Sequence, residues 1–136
     1  MVQIVGKFEH ERSENFEEYL KSVVGEEHAD KATTFANSKP ILEVQKNGDD
    51  FTITVTNEGK SNTTTFQLGV TYDETMPHGA TMKSLTTQDG DKFTTETELP
   101  NGNKSVRVYE FTENGITVHL SDEKTGAKAT RYYKRM

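Results

Sequence analysis

The stretch "AKATRYYK" at 127–134 carries its chemistry at alternate positions. Side chains alternate faces along a strand, so Ala127, Ala129, Arg131 and Tyr133 share one side. Lys128, Thr130, Tyr132 and Lys134 take the other, and the lysines mark that side as the wet one. Arg131 is then either a surface arginine near a chain end or an inward cation in need of a partner. In the second case its guanidinium can give two parallel hydrogen bonds to a carboxylate and the Tyr133 phenol a third. "SVRVYEF" at 105–111 repeats the theme: Arg107 and Tyr109 share one parity, with Phe111 beside them.

Chemistry of other kinds finds little support. His10, His28, His78 and His119 stand at neither triad nor metal-ligand spacing, and cysteine is absent, which removes thiol nucleophiles and thiolate metal sites. Asp73, Glu74 and His78 fall together in "GVTYDETMPHG", which reads as a solvated turn. The glycines punctuate hairpins and form no phosphate-cradling loop. No enzyme, metal or cofactor is expected. A net charge of −6 leaves no basic stripe for nucleic acid, and "YYKRM" reads as a solvated end. The sequence has no apolar run of membrane-spanning length, and its start lacks the apolar segment of a signal peptide, so a cytoplasmic location is expected. Were the chain secreted, "NTT" at 62–64 and "NKS" at 103–105 would be glycan acceptors.

These side chains need a scaffold, and the sequence outlines one. With 136 residues the chain suits a single domain, residues 1–136. Hydrophobic residues make up only 31%, which fits either a small polar-surfaced domain or one whose interior is partly polar or hollow. Turn signals recur at "KNGDD", "NEGKS", "ETMPHG", "QDGD", "PNGN", "ENG" and "EKTG". Between them lie strand-length runs, several strictly alternating, as in Phe51, Ile53 and Val55 against Thr52, Thr54 and Thr56. Counted with "QIVGKFEH" and "PILEVQ", the strands number about ten, and so long an antiparallel meander closes on itself to remove its edges. Residues 13–37 interrupt the pattern. Ser13 is the expected N-cap of a helix with Phe16, Leu20 and Val23 on one face, and "EEHADKATTFAN" offers a second short helix. This hairpin is too thin for a core layer and suits a lid over one barrel end.

The order and spacing of "GKF" (6–8), "SENFEEYLKSV" (13–23), "FQLG" (66–69), "DET" (73–75), "KSLTTQDGDKF" (83–93) and "RYY" (131–133) resemble the intracellular lipid-binding proteins, which include the fatty-acid-binding and retinoid-binding proteins. The likeness covers nearly the whole chain and is greatest to invertebrate members. It implies an all-β, ten-stranded antiparallel up-and-down β-barrel, the β-clam, capped by a helix-turn-helix between strands 1 and 2. It further implies an intracellular monomeric carrier of a long-chain fatty acid, with transient membrane contact through the cap as a possible delivery route. Arg131 and Tyr133 match the family's carboxylate-binding Arg-x-Tyr. A second anchor comes from the strand two before the last, where Tyr109 falls nearest the family position and Arg107 one step away. Phe16, Leu20 and Phe35 are the apolar candidates for the entrance. Phe51, Ile53, Val55 and Val118, with Ile116 and Leu120, are candidates for the wall, although a dry core would look the same. Retinoic acid shares the carboxylate and is the competing ligand; a family-fold protein with reduced lipid binding and a protective or structural role is the other alternative.

Overall fold

The computed structural model describes residues 4–19, 39–57, 59–75, 81–98, 102, 104–124 and 126–136. Among them the chain forms ten strands: β1 (Gly6–Glu14), β2 (Ile41–Asn47), β3 (Asp50–Asn57), β4 (Lys60–Gln67), β5 (Tyr72–Thr75), β6 (Thr81–Asp89), β7 (Lys92–Glu98), β8 (Lys104–Phe111), β9 (Gly115–Asp122) and β10 (Lys128–Arg135). All pair antiparallel in one sheet of order β4-β3-β2-β1-β10-β9-β8-β7-β6-β5. Every neighbour is consecutive in sequence except the pair β1–β10, which curls the meander into a nearly closed barrel. Its seam lies between β4 and β5.

Period-two patterning sets which side faces in. β7 buries Phe93, Thr95 and Thr97 and exposes Lys92, Glu96 and Glu98; β10 buries Ala129, Arg131 and Tyr133. At the barrel end next to the hairpins at 48–49, 68–71, 90–91 and 112–114, phenylalanine takes the inward positions. The rings form a continuous chain: Phe8 to Phe111 (6.3 Å between centroids), Phe111 to Phe93 (5.2 Å), Phe93 to Phe51 (5.1 Å), Phe51 to Phe66 (5.9 Å) and Phe66 to Tyr72 (5.1 Å). Each such pair contributes about 0.5–1.5 kcal/mol beyond its buried area. The last pair joins β4 to β5, and the Gly69 amide donates to the Thr86 carbonyl at 2.9 Å beside it, so the seam is held by rings and a turn.

The barrel agrees with the sequence expectation, with two local differences. Ser13 is not a helix cap, because β1 keeps pairing with β10 as far as Glu14 opposite Thr130. The helical turn over 16–19 starts after Asn15, whose backbone takes φ 58° and whose carbonyl accepts the first helical bond from the Tyr19 amide at 3.2 Å. The Asn15 side chain donates to the Lys128 carbonyl at 2.6 Å and so pins the helix start to β10. The rest of the expected helical pair, including Leu20 and Phe35, lies outside the described residues. The second difference is β5, four residues where the sequence reads as loop.

Candidate functional site

Arg131 and Tyr133 both point into the barrel, 4% and 8% exposed. A bulge in β1 gives them polar neighbours. His10 stands opposite Tyr133 and Ser13 opposite Arg131, with the register slipping between His10 and Arg12. The extra residue restores the inward direction at odd-numbered Ser13 after even-numbered Phe8 and His10. Arg131 Nε donates to Ser13 Oγ at 3.1 Å, and that hydroxyl lies 2.7 Å from His10 Nε2, a distance at which its own proton can serve the imidazole. The His10 ring meets Tyr133 edge-on, centroids 5.7 Å apart. Phe16, from the helical turn, lies under the guanidinium, with Arg131 Cζ 4.0 Å from the ring centroid.

Burial and charge act on these groups in consistent directions. Burial lowers the Arg131 pKa and raises that of Tyr133, so the phenol keeps its proton and remains a donor. Burial, then the charges of Arg131 and Lys39, pushes His10 down to about 4, which leaves a neutral imidazole at physiological pH. A guanidinium and a phenolic O–H therefore lie side by side on the inward face, both of them groups that donate to oxygen acceptors.

Arg107 lies on β8 in a different setting. Its two terminal nitrogens embrace the Glu74 carboxylate, one at 2.9 Å from Oε2 and the other in close contact with Oε1. Further contacts run from Arg107 to Thr97 Oγ1 (3.1 Å) and to the Tyr109 hydroxyl (3.3 Å). Glu74 also accepts from Ser84 Oγ at 2.8 Å, and Ser84 in turn meets Thr97 at 2.8 Å. Only 15% and 16% of the two charged side chains remain exposed. Burial works to raise the Glu74 pKa, but the Arg107 charge and the hydrogen bonds outweigh it and hold the carboxyl below its ordinary value. Nearby, the Tyr72 hydroxyl meets Thr86 (2.8 Å) and Thr86 meets Thr95 (2.7 Å), which extends a hydroxyl-lined wall across β5, β6 and β7.

Tyr109 falls between the two arginines. It is level with Val118 on β9, which is level with Arg131 on β10. Val118, Ile116 and Leu120 are buried on that middle strand, whereas Ile53 and Val55 pack half-buried against the core, and Phe51 belongs to the aromatic chain. The structure thus assembles Arg131, Tyr133, Phe16, Val118 and Tyr109 in one region and gives Arg107 to Glu74. Sequence reasoning missed Glu74, Ser13 and His10. The alternation Tyr72-x-Glu74, with Asp73 outside on Lys83 at 3.3 Å, was the available signal for the first. Among the described residues, no group of three or more His, Asp or Glu side chains could hold a metal ion, and no helix is long and apolar enough to cross a membrane.

Known proteins share both the sequence and the barrel. The chain is 31% identical over 125 residues to fatty acid-binding protein 2 of Manduca sexta, covering 90% of this chain and 91% of that one. It is 30% identical over 136 residues to a fatty acid-binding protein of Tyrophagus putrescentiae, covering 99% of both. The crystal structure of the fatty acid-binding protein in brain tissue of Drosophila melanogaster superposes with a TM-score of 0.84 at 34% identity, covering 97% of this chain and 99% of that one. Residues 2–121 match the model of the lipocalin / cytosolic fatty-acid binding protein family. With the barrel built as described and relatives alike over almost their full length, this chain belongs to the lipocalin and cytosolic fatty-acid-binding protein family.

Proposed function

We propose that this protein is a non-catalytic carrier that holds one long-chain fatty acid inside the barrel, its carboxylate received by Arg131 and Tyr133. The observation that carries the reading is the buried pairing of a guanidinium with a protonated phenol on one inward face, beside a neutral His10 that brings no competing charge. The apolar residues of β2, β3 and β9 supply a wall for the acyl chain. Relatives in three arthropods bear the fatty-acid-binding description, which supports the same ligand class here.

Magnitudes divide the work between tail and head. Burying a sixteen-carbon tail is worth about 12 kcal/mol gross at ~0.8 kcal/mol per methylene. Association costs about 4–15 kcal/mol. A hydrogen bond to the charged head adds about 1.5–3 kcal/mol. The tail provides most of the affinity, and Arg131 with Tyr133 selects the head group. Delipidated protein titrated with oleate, oleyl alcohol and retinoic acid should prefer oleate to the alcohol. Arg131→Ala should weaken oleate by roughly 10- to 100-fold, as loss of one charged contact implies, while leaving the alcohol nearly unchanged. Equal binding of oleate and oleyl alcohol by the wild type would remove the head-group role. Saturation by retinoic acid with no response to oleate would move the ligand to the retinoid class.

A further inference from the structure

Tyr109 lies on the inward face of β8, level with Phe93 on β7 and Val118 on β9, both buried. Its own side chain is only partly buried, so the phenol borders the interior space. The hydroxyl oxygen accepts from Arg107 Nη1 at 3.3 Å, and its proton has no acceptor among the described residues. Burial outweighs the Arg107 charge and raises the Tyr109 pKa, so that proton stays on the phenol. A cationic N–H on the oxygen polarises the O–H and strengthens it as a donor. Glu74 carries the matching vacancy. Its Oε1 accepts from both Ser84 and Arg107, whereas Oε2 accepts from Arg107 Nη1 alone among the described residues, at 2.9 Å. A carboxylate oxygen takes about two such bonds, so Oε2 has room for one more donor. The unused donor and the unused acceptor are thus neighbours across one nitrogen. Two acceptors on one planar guanidinium nitrogen stand about 5 Å apart, a span that one hydroxyl bridges with two bonds of ~2.8 Å.

We propose, resting on the reading that a lipid fills the barrel but not on where its carboxylate lies, that Tyr109 and Glu74 form a subsite for a hydroxyl group carried on the acyl chain. The hydroxyl accepts from the Tyr109 phenol and donates to Glu74 Oε2, and the ligand class is a hydroxylated long-chain fatty acid. The subsite selects an uncharged group. Glu74 already matches the Arg107 charge, and a second carboxylate at this place would be repelled by the first. A plain methylene chain lying against Tyr109 leaves a strong donor unmatched, which is unfavourable in the interior. The neighbouring wall has the same character. Tyr72, Thr86 and Thr95 hold three hydroxyl protons and make two contacts with one another, so one proton at an end of that run is left over, and Thr95 is level with Arg107.

Stearate, 10-hydroxystearate and 12-hydroxystearate, titrated by calorimetry into delipidated wild type, Tyr109→Phe and Tyr132→Phe, test the proposal, each protein first being shown to melt cooperatively. Tyr132 lies on the outward face of β10 against Arg12 and controls for loss of a phenol outside the barrel. At least one hydroxy acid should bind wild type about three- to ten-fold more tightly than stearate. Tyr109→Phe should bring that ratio to within about two-fold of one, and Tyr132→Phe should keep the wild-type ratio. The ratio cancels any general effect of a variant on lipid uptake. Wild type that binds stearate and prefers neither hydroxy acid overturns the proposal, whether or not the variants fold, and leaves the carrier reading intact; the Tyr109 proton then serves interior water only. A preference that survives in folded Tyr109→Phe overturns it equally. Wild type that takes up none of the three acids overturns the carrier reading and the subsite with it.

Discussion

His10 lies half-buried against Tyr133 and shares the Ser13 hydroxyl with Arg131, so a proton on its ring would place a second positive charge beside a buried cation. The folded protein therefore holds His10 at a pKa of about 4, whereas the unfolded chain takes up the proton near 6.5. The unfolded state binds more protons between these values, so the stability gained from neutral His10 is complete above pH 6.5 and is lost as pH falls toward 4. The loss is smaller than the ~3 kcal/mol a shift of this size carries in full, because solvent reaches part of the ring and screens the charge. Thermal melts of wild type and His10→Gln should thus diverge in the acid direction, wild type losing more Tm than the variant between pH 7 and pH 4. A constant gap across that range would exclude the linkage. At this scale the sequence was legible where alternation alone decided the outcome: the inward Arg131 and Tyr133 follow from parity. Ser13 and His10 were hidden because a bulge, which leaves no compositional mark in "FEHERSE", changes the parity between them.

At the scale of elements, the strand carrying Tyr133 rests on a close backbone approach. A Cβ at Gly115 would stand 1.9 Å from the Tyr133 carbonyl oxygen and 3.1 Å from the Lys134 Cα, and these backbone atoms have no rotamer with which to yield. Gly115→Ala must push β9 away from β10 and is expected to cost about 1–3 kcal/mol or more in urea denaturation. Gly48→Ala makes an informative companion, since nothing stands within 4 Å of its Cβ and the expected cost of about 1–2 kcal/mol comes from its φ of 63° alone. Equal or smaller destabilisation from Gly115→Ala would show that the β9–β10 contact can relax. Most strands could be read from their period-two runs and hairpin residues. β5 could not: four residues, preceded by the short turn "LGVT" at 68–71 rather than set in a long alternating run, offer too little pattern to outweigh the turn chemistry of "ETMPHG". The Glu74–Arg107 pair disappeared with it, because a residue assigned to a solvated loop suggests no buried partner.

On the scale of the molecule, the barrel is a meander whose two end strands pair with each other and whose middle is interrupted. β1 and β10 supply the one neighbour relation between distant parts of the chain, with Phe8 opposite Arg135 and the Met136 amide donating to the Lys7 carbonyl at 3.0 Å. The seam between β4 and β5, in contrast, separates strands adjacent in sequence and is crossed by the Phe66–Tyr72 stack. The break in the sheet and the break in the chain therefore fall on opposite sides of the barrel. Circular permutation would bring them together: with the ends linked and the chain reopened between Gly69 and Val70, the strands would follow one another from one sheet edge to the other, β5 through β10 and then β1 through β4. Every strand pair would then join neighbours in the chain, β1 and β2 still through residues 15–40, and the relative contact order would fall because the distant β1–β10 pairing becomes a linked one. Folding rate rises as contact order falls, so the permutant should refold faster than the parent in stopped-flow fluorescence. A permutant that reaches the same fold at an unchanged rate would mean that joining β1 to β10 is not the slow step.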